Sequence, residues 1–238
     1  MIKPQSVTSR VPLSQSGAAI AIALMGLLVV LALLIRMSPE SSTEMAVMTW
    51  VRSLSAPGFE KLMDSVSRFT NQPGITLAPV AAMVFLLAGR ARDAAIFTGV
   101  VLLVGASVFV VDFGLGEIAG RGRPIPVETN PSYPSGHTSG STWFLIFLIF
   151  IVLRSSATEI RKGSVMGILG TLVLLVGLSR VFLHRHWPLD VVGGYALGIL
   201  AALCAIWLFE SLRRAHNTND DFISQPKRIQ HDELNFAD

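Results

Sequence analysis

The chain has 238 residues, 51% of them hydrophobic and only 15% charged, with a formal net charge of +3. Soluble domains carry about 25% charged residues, so this composition, with a mean hydropathy of +0.58, excludes an ordinary soluble domain and indicates a membrane protein. Nucleic acid is excluded as a partner because the basic residues lie singly between apolar segments and not along one face. Cys204 is the single cysteine, which rules out an intramolecular disulfide and leaves it a packing role.

In chain order, residues 1–16 are polar, carry Lys3 and Arg10, and are expected on the cytoplasmic side. Gly17–Ile35 is an uninterrupted apolar run of 19 residues, long enough to span. Arg36-Met37-Ser38 after it offers no small-residue cleavage site, so a retained helix is expected rather than a signal peptide. Residues 38–74 place Trp50, Val51, Leu54, Phe59, Leu62, Met63 and Val66 at helical spacing among charged residues. This predicts one or two amphipathic helices, interrupted at Pro57-Gly58, lying on the membrane interface or packed on a bundle. Ile75–Ala88 is a second, short apolar run containing Pro79, and residues 89–93 form a tight basic turn. Ala94–Val111 is the third span, and Asp112–Gly136, rich in proline and glycine, reads as a loop. Ser139–Leu153, Val165–Leu178 and Leu189–Phe209 complete an expected six-transmembrane-helix bundle, all-α and polytopic, over residues 17–210. The polar stretch 211–238 is expected to be a disordered cytoplasmic tail.

With the N-terminus cytoplasmic, inner segments hold eleven of the nineteen lysines and arginines, so positive charge favours both termini inside. Two spans separate the polar loops 112–137 and 179–190. Two crossings return the chain to one side, so both loops face outward and can form a single pocket.

Three clusters in these loops carry chemistry. Gly120-Arg121-Gly122-Arg123-Pro124 offers guanidinium forks that bind phosphate oxygens bidentately, although arginines at membrane borders also serve as solvated anchors. Pro134-Ser135-Gly136-His137 places Ser135 as a helix N-cap, with the Gly136 and His137 amides at a helix start that favours an anion. The same tetrapeptide also fits a plain cap with a surface histidine. In the third, Pro188 marks a first helical residue, with His186 and Asp190 four positions apart. That spacing lets the carboxylate reach one ring nitrogen, fix the tautomer and leave the other nitrogen to attack. Arg180 and Arg185 could neutralise a phosphate. His184, His186 and Asp190 could instead ligate a metal, but the adjacent arginines would repel a cation.

Arg123-Pro124, Pro134-Ser135-Gly136-His137 and Ser179-Arg180 with His186 and Asp190, in this order, resemble the type 2 phosphatidic acid phosphatase family over roughly residues 75–210. The resemblance implies a six-helix membrane phosphatase that hydrolyses lipid phosphates without metal or other cofactor. It implies His186 as the nucleophile of a phosphohistidine, Asp190 as its orienting partner and His137 as the acid, then base. It further implies that Arg123 and Arg180 clamp the phosphoryl oxygens with Ser135 and the Gly136 amide. Such a mechanism requires one neutral and one protonated imidazole and therefore a bell-shaped pH–rate profile. The family's lysine seven residues before the arginine is Gly116 here, followed by Glu117, and Arg121 is the candidate replacement. A lipid phosphotransferase would use the same residues, and a catalytically weak lipid-phosphate binder would tolerate the missing lysine. Undecaprenyl pyrophosphate, phosphatidic acid, phosphatidylglycerol phosphate and lipid A phosphates all fit such a pocket. The expected setting is a bacterial inner membrane with the site facing the periplasm or outside. Oligomeric state is not legible.

Overall fold

A computed structural model of the chain describes residues 15–39, 41–69, 73–125 and 130–234, with side chains from Gly17 to His216 apart from 73–76. The described residues contain no strand. Eight helices run in the order α1 (Gln15–Met37), α2 (Ser42–Ser53), α3 (Phe59–Phe69), α4 (Pro73–Leu87), α5 (Ala91–Ala119), α6 (Gly136–Leu153), α7 (Glu159–Phe182) and α8 (Pro188–Leu234). Among the described residues, α1, α5, α6, α7 and the Pro188–His216 part of α8 are long and apolar enough to cross a membrane. The fourth helix is apolar but has only 15 residues, so five helices meet that criterion and not six. The tail expected to be irregular lies mostly beyond the described side chains, with the α8 backbone continuing to Leu234.

Burial in the spans is inverted relative to a soluble protein. Val29, Leu33, Val84, Leu102, Phe109, Ile168 and Leu174 are exposed, while Ser139, Ser141, Thr142, Ser179 and Asp190 are buried. Lipid tails offer no hydrogen bonds, so polar groups turn inward and apolar ones outward. The main apolar core lies among α4, α5, α6 and α8, with Phe97, Phe144, Phe147 and Phe209 at its centre. A second cluster packs Met48 and Val51 of α2 and Met63 of α3 against Phe182, Trp187 and Val191. The amphipathic segment is therefore two helices docked on the end of the bundle, with Met45, Trp50, Leu62 and Phe69 on their exposed side.

Two features position the polar end. The third span continues past Val111 to Ala119, taking in residues read from sequence as loop. No proline interrupts 112–119, and the chain stops only at Gly120, whose left-handed φ of 61° lets its N–H close onto Gly116 O. Helix α8, expected from sequence as a sixth span, presents glycines to α6. A Cβ on Gly194 would lie 2.8 Å from Ser135 O and Thr138 Cβ, and one on Gly198 2.6 Å from Thr142 Cβ. This small-residue face brings the two backbones close enough for the Ser135 N–H to bond Asp190 O at 2.9 Å.

Gly198→Val is expected to lower the thermal midpoint in detergent, because overpacking at such a contact costs about 1–3 kcal/mol. Gly163→Ala, in α7 with open space around it, should leave the midpoint unchanged or raise it slightly.

Candidate active site

The end of α7 determines where His186 goes. Arg185 N–H bonds Arg180 O at 2.9 Å and His184 N–H bonds Val181 O at 3.0 Å, with His184 at a φ of 54°. This is the six-to-one and five-to-two pairing that closes a helix through one left-handed residue. It reverses the chain within a turn, so His186 returns beside Arg180 and its N–H reaches Arg180 O at 3.3 Å.

His186 is 1% exposed and held at both ring nitrogens. Nδ1 lies 2.8 Å from the Ser132 carbonyl oxygen, which can only accept, so Nδ1 carries the hydrogen. Nε2 faces Arg123 Nη1 at 2.9 Å, which can only donate, so Nε2 keeps its lone pair. The tautomer is thus set by a backbone carbonyl and not by Asp190, as the spacing had suggested. The Asp190 carboxylate is 3.7 Å from Nδ1, beyond hydrogen-bond reach, and its Oδ2 instead accepts the Trp187 N–H at 2.9 Å. Burial holds the His186 imidazole below its ordinary pKa; the Asp190 charge opposes this, and Arg123 and Arg180 add to it. The ring is therefore neutral near pH 7.

Arg123 touches this ring, Arg180 and His137 lie within electrostatic reach of it, and Ser135, followed by Gly136 at the start of α6, bonds Asp190 O through its N–H at 2.9 Å. Arg123 also donates to Arg185 O at 3.4 Å. Arg180 is buried and donates to Ser67 Oγ of α3 at 2.5 Å. Ser135 occupies the N-cap position of α6, but its hydroxyl makes no capping bond; it accepts from Thr138 Oγ1 at 3.0 Å. The start of α6 thus keeps its amides directed out of the helix. Gly136 is exposed and His137 half-buried there.

Arg121 is placed differently from its expected role. Its guanidinium is 1% exposed and donates to Pro39 O at 2.7 Å, to both carboxylate oxygens of Glu44 on α2, and to Asp190 Oδ1 at 3.3 Å. It also lies 4.6 Å from the centre of the Trp187 ring. Its donors are directed to one carbonyl and two carboxylates and not toward the His186 ring, unlike the anion-facing position expected from sequence. Position 116 is tightly packed in this chain. A Cβ there would sit 3.1 Å from Pro131 Cβ and from Tyr133 O, the segment that presents Ser132 O to His186. Sequence reasoning missed Glu44, Ser67 and the Ser132 carbonyl. The first two lie in the amphipathic stretch with no motif around them, and a backbone carbonyl has no residue signature. Gly116→Lys is accordingly expected to lower the thermal midpoint and to disturb the His186 ring environment, which histidine-selective NMR would register.

Comparison with known proteins gives a family model, two relatives and a solved structure. The model of the PAP2 superfamily matches residues 116–214. Phosphatidylglycerophosphatase B of Bacillus subtilis (strain 168) is 33% identical over 38% of this chain and 45% of its own length. Undecaprenyl-diphosphatase of Sulfolobus acidocaldarius is 31% identical over 50% of this chain and 57% of its own length. The chain thus spans about half the length of these two relatives. Among solved structures, a transmembrane PAP2 type phosphatidylglycerolphosphate phosphatase from Bacillus subtilis superposes with a TM-score of 0.69. It is 22% identical, and the match covers 80% of this chain and 96% of that one, which establishes a shared fold.

Proposed function

Residues 116–214 belong to the PAP2 superfamily, and from that premise we propose that the protein is an integral-membrane lipid phosphatase, hydrolysing a phosphate mono- or pyrophosphate ester through a phosphohistidine on His186 without metal. The observation that carries this reading is the pairing of His186 Nε2 with Arg123 Nη1 at 2.9 Å while Nδ1 is closed off by Ser132 O. A lone pair and a guanidinium that share one point fit an attack on a phosphoryl group whose oxygens that guanidinium binds.

In the first step the Nε2 lone pair forms the P–N bond and the bond from phosphorus to the lipid oxygen breaks. His137 gives its proton to that leaving oxygen. In the second, His137 takes a proton from water, the hydroxide oxygen bonds phosphorus, and the P–N electron pair returns to Nε2 as phosphate leaves. Arg123, Arg180, the Ser135 hydroxyl and the Gly136 amide hold the three equatorial oxygens, and this fixed positive field is the main contribution to rate. Asp190 acts through its charge on the imidazolium-like state.

Six crossings, an outward-facing site and cytoplasmic termini complete the reading. The second and third helices reach the site end through Glu44 and Ser67, whereas α5 begins at the opposite end, where Asp93 pairs with Arg213 at 2.9 Å. Helix α4 therefore connects the two ends, and its 15 residues rise about 22 Å, enough for a thinned crossing. Arg90, Arg92, Arg213 and Arg214 then gather at the inner end, consistent with the charge rule. The lipids named for the relatives, undecaprenyl diphosphate and phosphatidylglycerophosphate, both present a phosphate at this depth.

The test is phosphate release from a panel of detergent-dispersed lipid phosphates. His186→Ala is expected to abolish turnover, and Arg123→Ala to reduce it roughly 10²–10³-fold. Retained turnover in His186→Ala would refute the mechanism. Because His186 is neutral through pH 7, the acid limb of kcat/KM should fall below the ordinary histidine value of about 6.5; a limb above that value would contradict the burial argument.

A further inference from the structure

The amphipathic segment contributes one buried carboxylate to the polar end, and the mechanism above does not use it. Glu44 is 6% exposed although it lies on a short helix at the end of the bundle. Its carboxylate bonds Arg121 through both oxygens, and Oε1 also accepts the Leu189 N–H at 2.9 Å, at the start of α8. Arg121 in turn reaches Asp190 Oδ1 at 3.3 Å. Asp190, fully buried, points its other oxygen at the Trp187 N–H and toward His186 Nδ1. A continuous chain of buried charge therefore runs from α2 through Arg121 and Asp190 to His186.

We propose that Glu44 is a positioning residue for the His186–Asp190 pair, acting through Arg121: it divides that guanidinium between two carboxylates, so that Asp190 keeps its negative field on the imidazole. The proposal rests on His186 being the reacting group. A buried arginine facing one carboxylate alone would pair with it fully and cancel its charge at any neighbouring site. With Glu44 present the three groups sum to one negative charge, and the surplus lies beside His186. Through Leu189, Glu44 also fixes the first turn of α8, which carries Asp190. The other charged or titratable groups facing His186 are Arg123 before α6, His137 on α6 and Arg180 on α7. All of these are cationic or neutral, so Asp190 is the single anion opposing them among the described residues. Docking α2 on the bundle thus completes the electrostatics of the site, and α2 is more than a membrane-surface support.

The experiment uses the full chain in detergent, with 15N-histidine labelling to follow the His186 ring through a pH titration and His186→Ala to assign it. Glu44→Gln keeps the shape and the Leu189 bond but removes the charge; His186 should then titrate at lower pH than in the parent. Adding Arg121→Met leaves Asp190 unopposed, so in the double variant the His186 titration should return to the parent position or above it. A purely structural role predicts that the double variant is worse and shifts no further in either direction. An unchanged titration in Glu44→Gln, or the same downward movement in both variants, would overturn the proposal. Should Glu44→Gln fail to fold because it strands a buried arginine, the double variant decides alone, and titration below the parent refutes the idea. The NMR readout is independent of turnover. Activity retained in His186→Ala would therefore sink the phosphatase mechanism, whereas an insensitive titration would sink only the role of Glu44.

Discussion

A buried imidazole pinned at both nitrogens is the constraint around which this polar end is arranged. Ser132 O takes the Nδ1 hydrogen and Arg123 meets the Nε2 lone pair, so the ring has one tautomer, and its lone pair points in one direction. Each contact comes from a different part of the chain. The 131–133 segment reaches the ring because Gly116 has no side chain in its path. Arg123 arrives because α5 ends cleanly at Gly120. His186 itself returns toward the bundle because α7 closes through the left-handed His184.

Burying that much charge requires compensation, because an unpaired charge in a low-dielectric site is costly. Here the cost is met by alternation along the chain: Glu44, Arg121 and Asp190 pair in sequence, and the two carboxylates also accept the Leu189 and Trp187 N–H groups. Arg180 is bonded by Ser67 from α3. Arg123 meets His186 Nε2, and the charges of both Arg123 and Arg180 act on that ring. The glycine face of α8 lets α6 approach until Ser135 N–H bonds Asp190 O. Packing and site chemistry therefore share the same residues, and a change in helix spacing would alter both.

Much of this was legible in the sequence. The apolar runs gave the all-α membrane architecture, and the loops separated by two spans did meet at one end. Ser135, His137, Arg180 and Asp190 sit at the ends of α6, α7 and α8, where residue spacing fixes position closely; Arg123 and His186 reach them from the connecting loops. What was not legible depended on tertiary approach. Arg121 looked like a phosphate ligand because a GRGRP stretch gives no sign of which guanidinium turns inward toward Glu44. The i, i+4 spacing of His186 and Asp190 predicted a direct hydrogen bond, but the Ser132 carbonyl took the nitrogen first. The third span ran past its hydropathic end at Val111 because helix propensity and packing, not apolarity, determine where a helix stops at a membrane edge. Helix α4 shows the converse: its composition marked a crossing, while its 15 residues are fewer than the roughly 20 of an ordinary span.

The central claim is that one tetrahedral anion sits between His186 Nε2 and the guanidinium groups of Arg123 and Arg180. An experimental structure of the detergent-solubilised chain with orthovanadate, which adopts the geometry of a phosphoryl group under attack, tests it most directly. The account predicts vanadium bonded to His186 Nε2, its oxygens on Arg123, Arg180 and the α6 amides, and Arg121 still on Glu44 and Asp190. Vanadate bound elsewhere, or absent while Arg123 remains on Nε2, would contradict it.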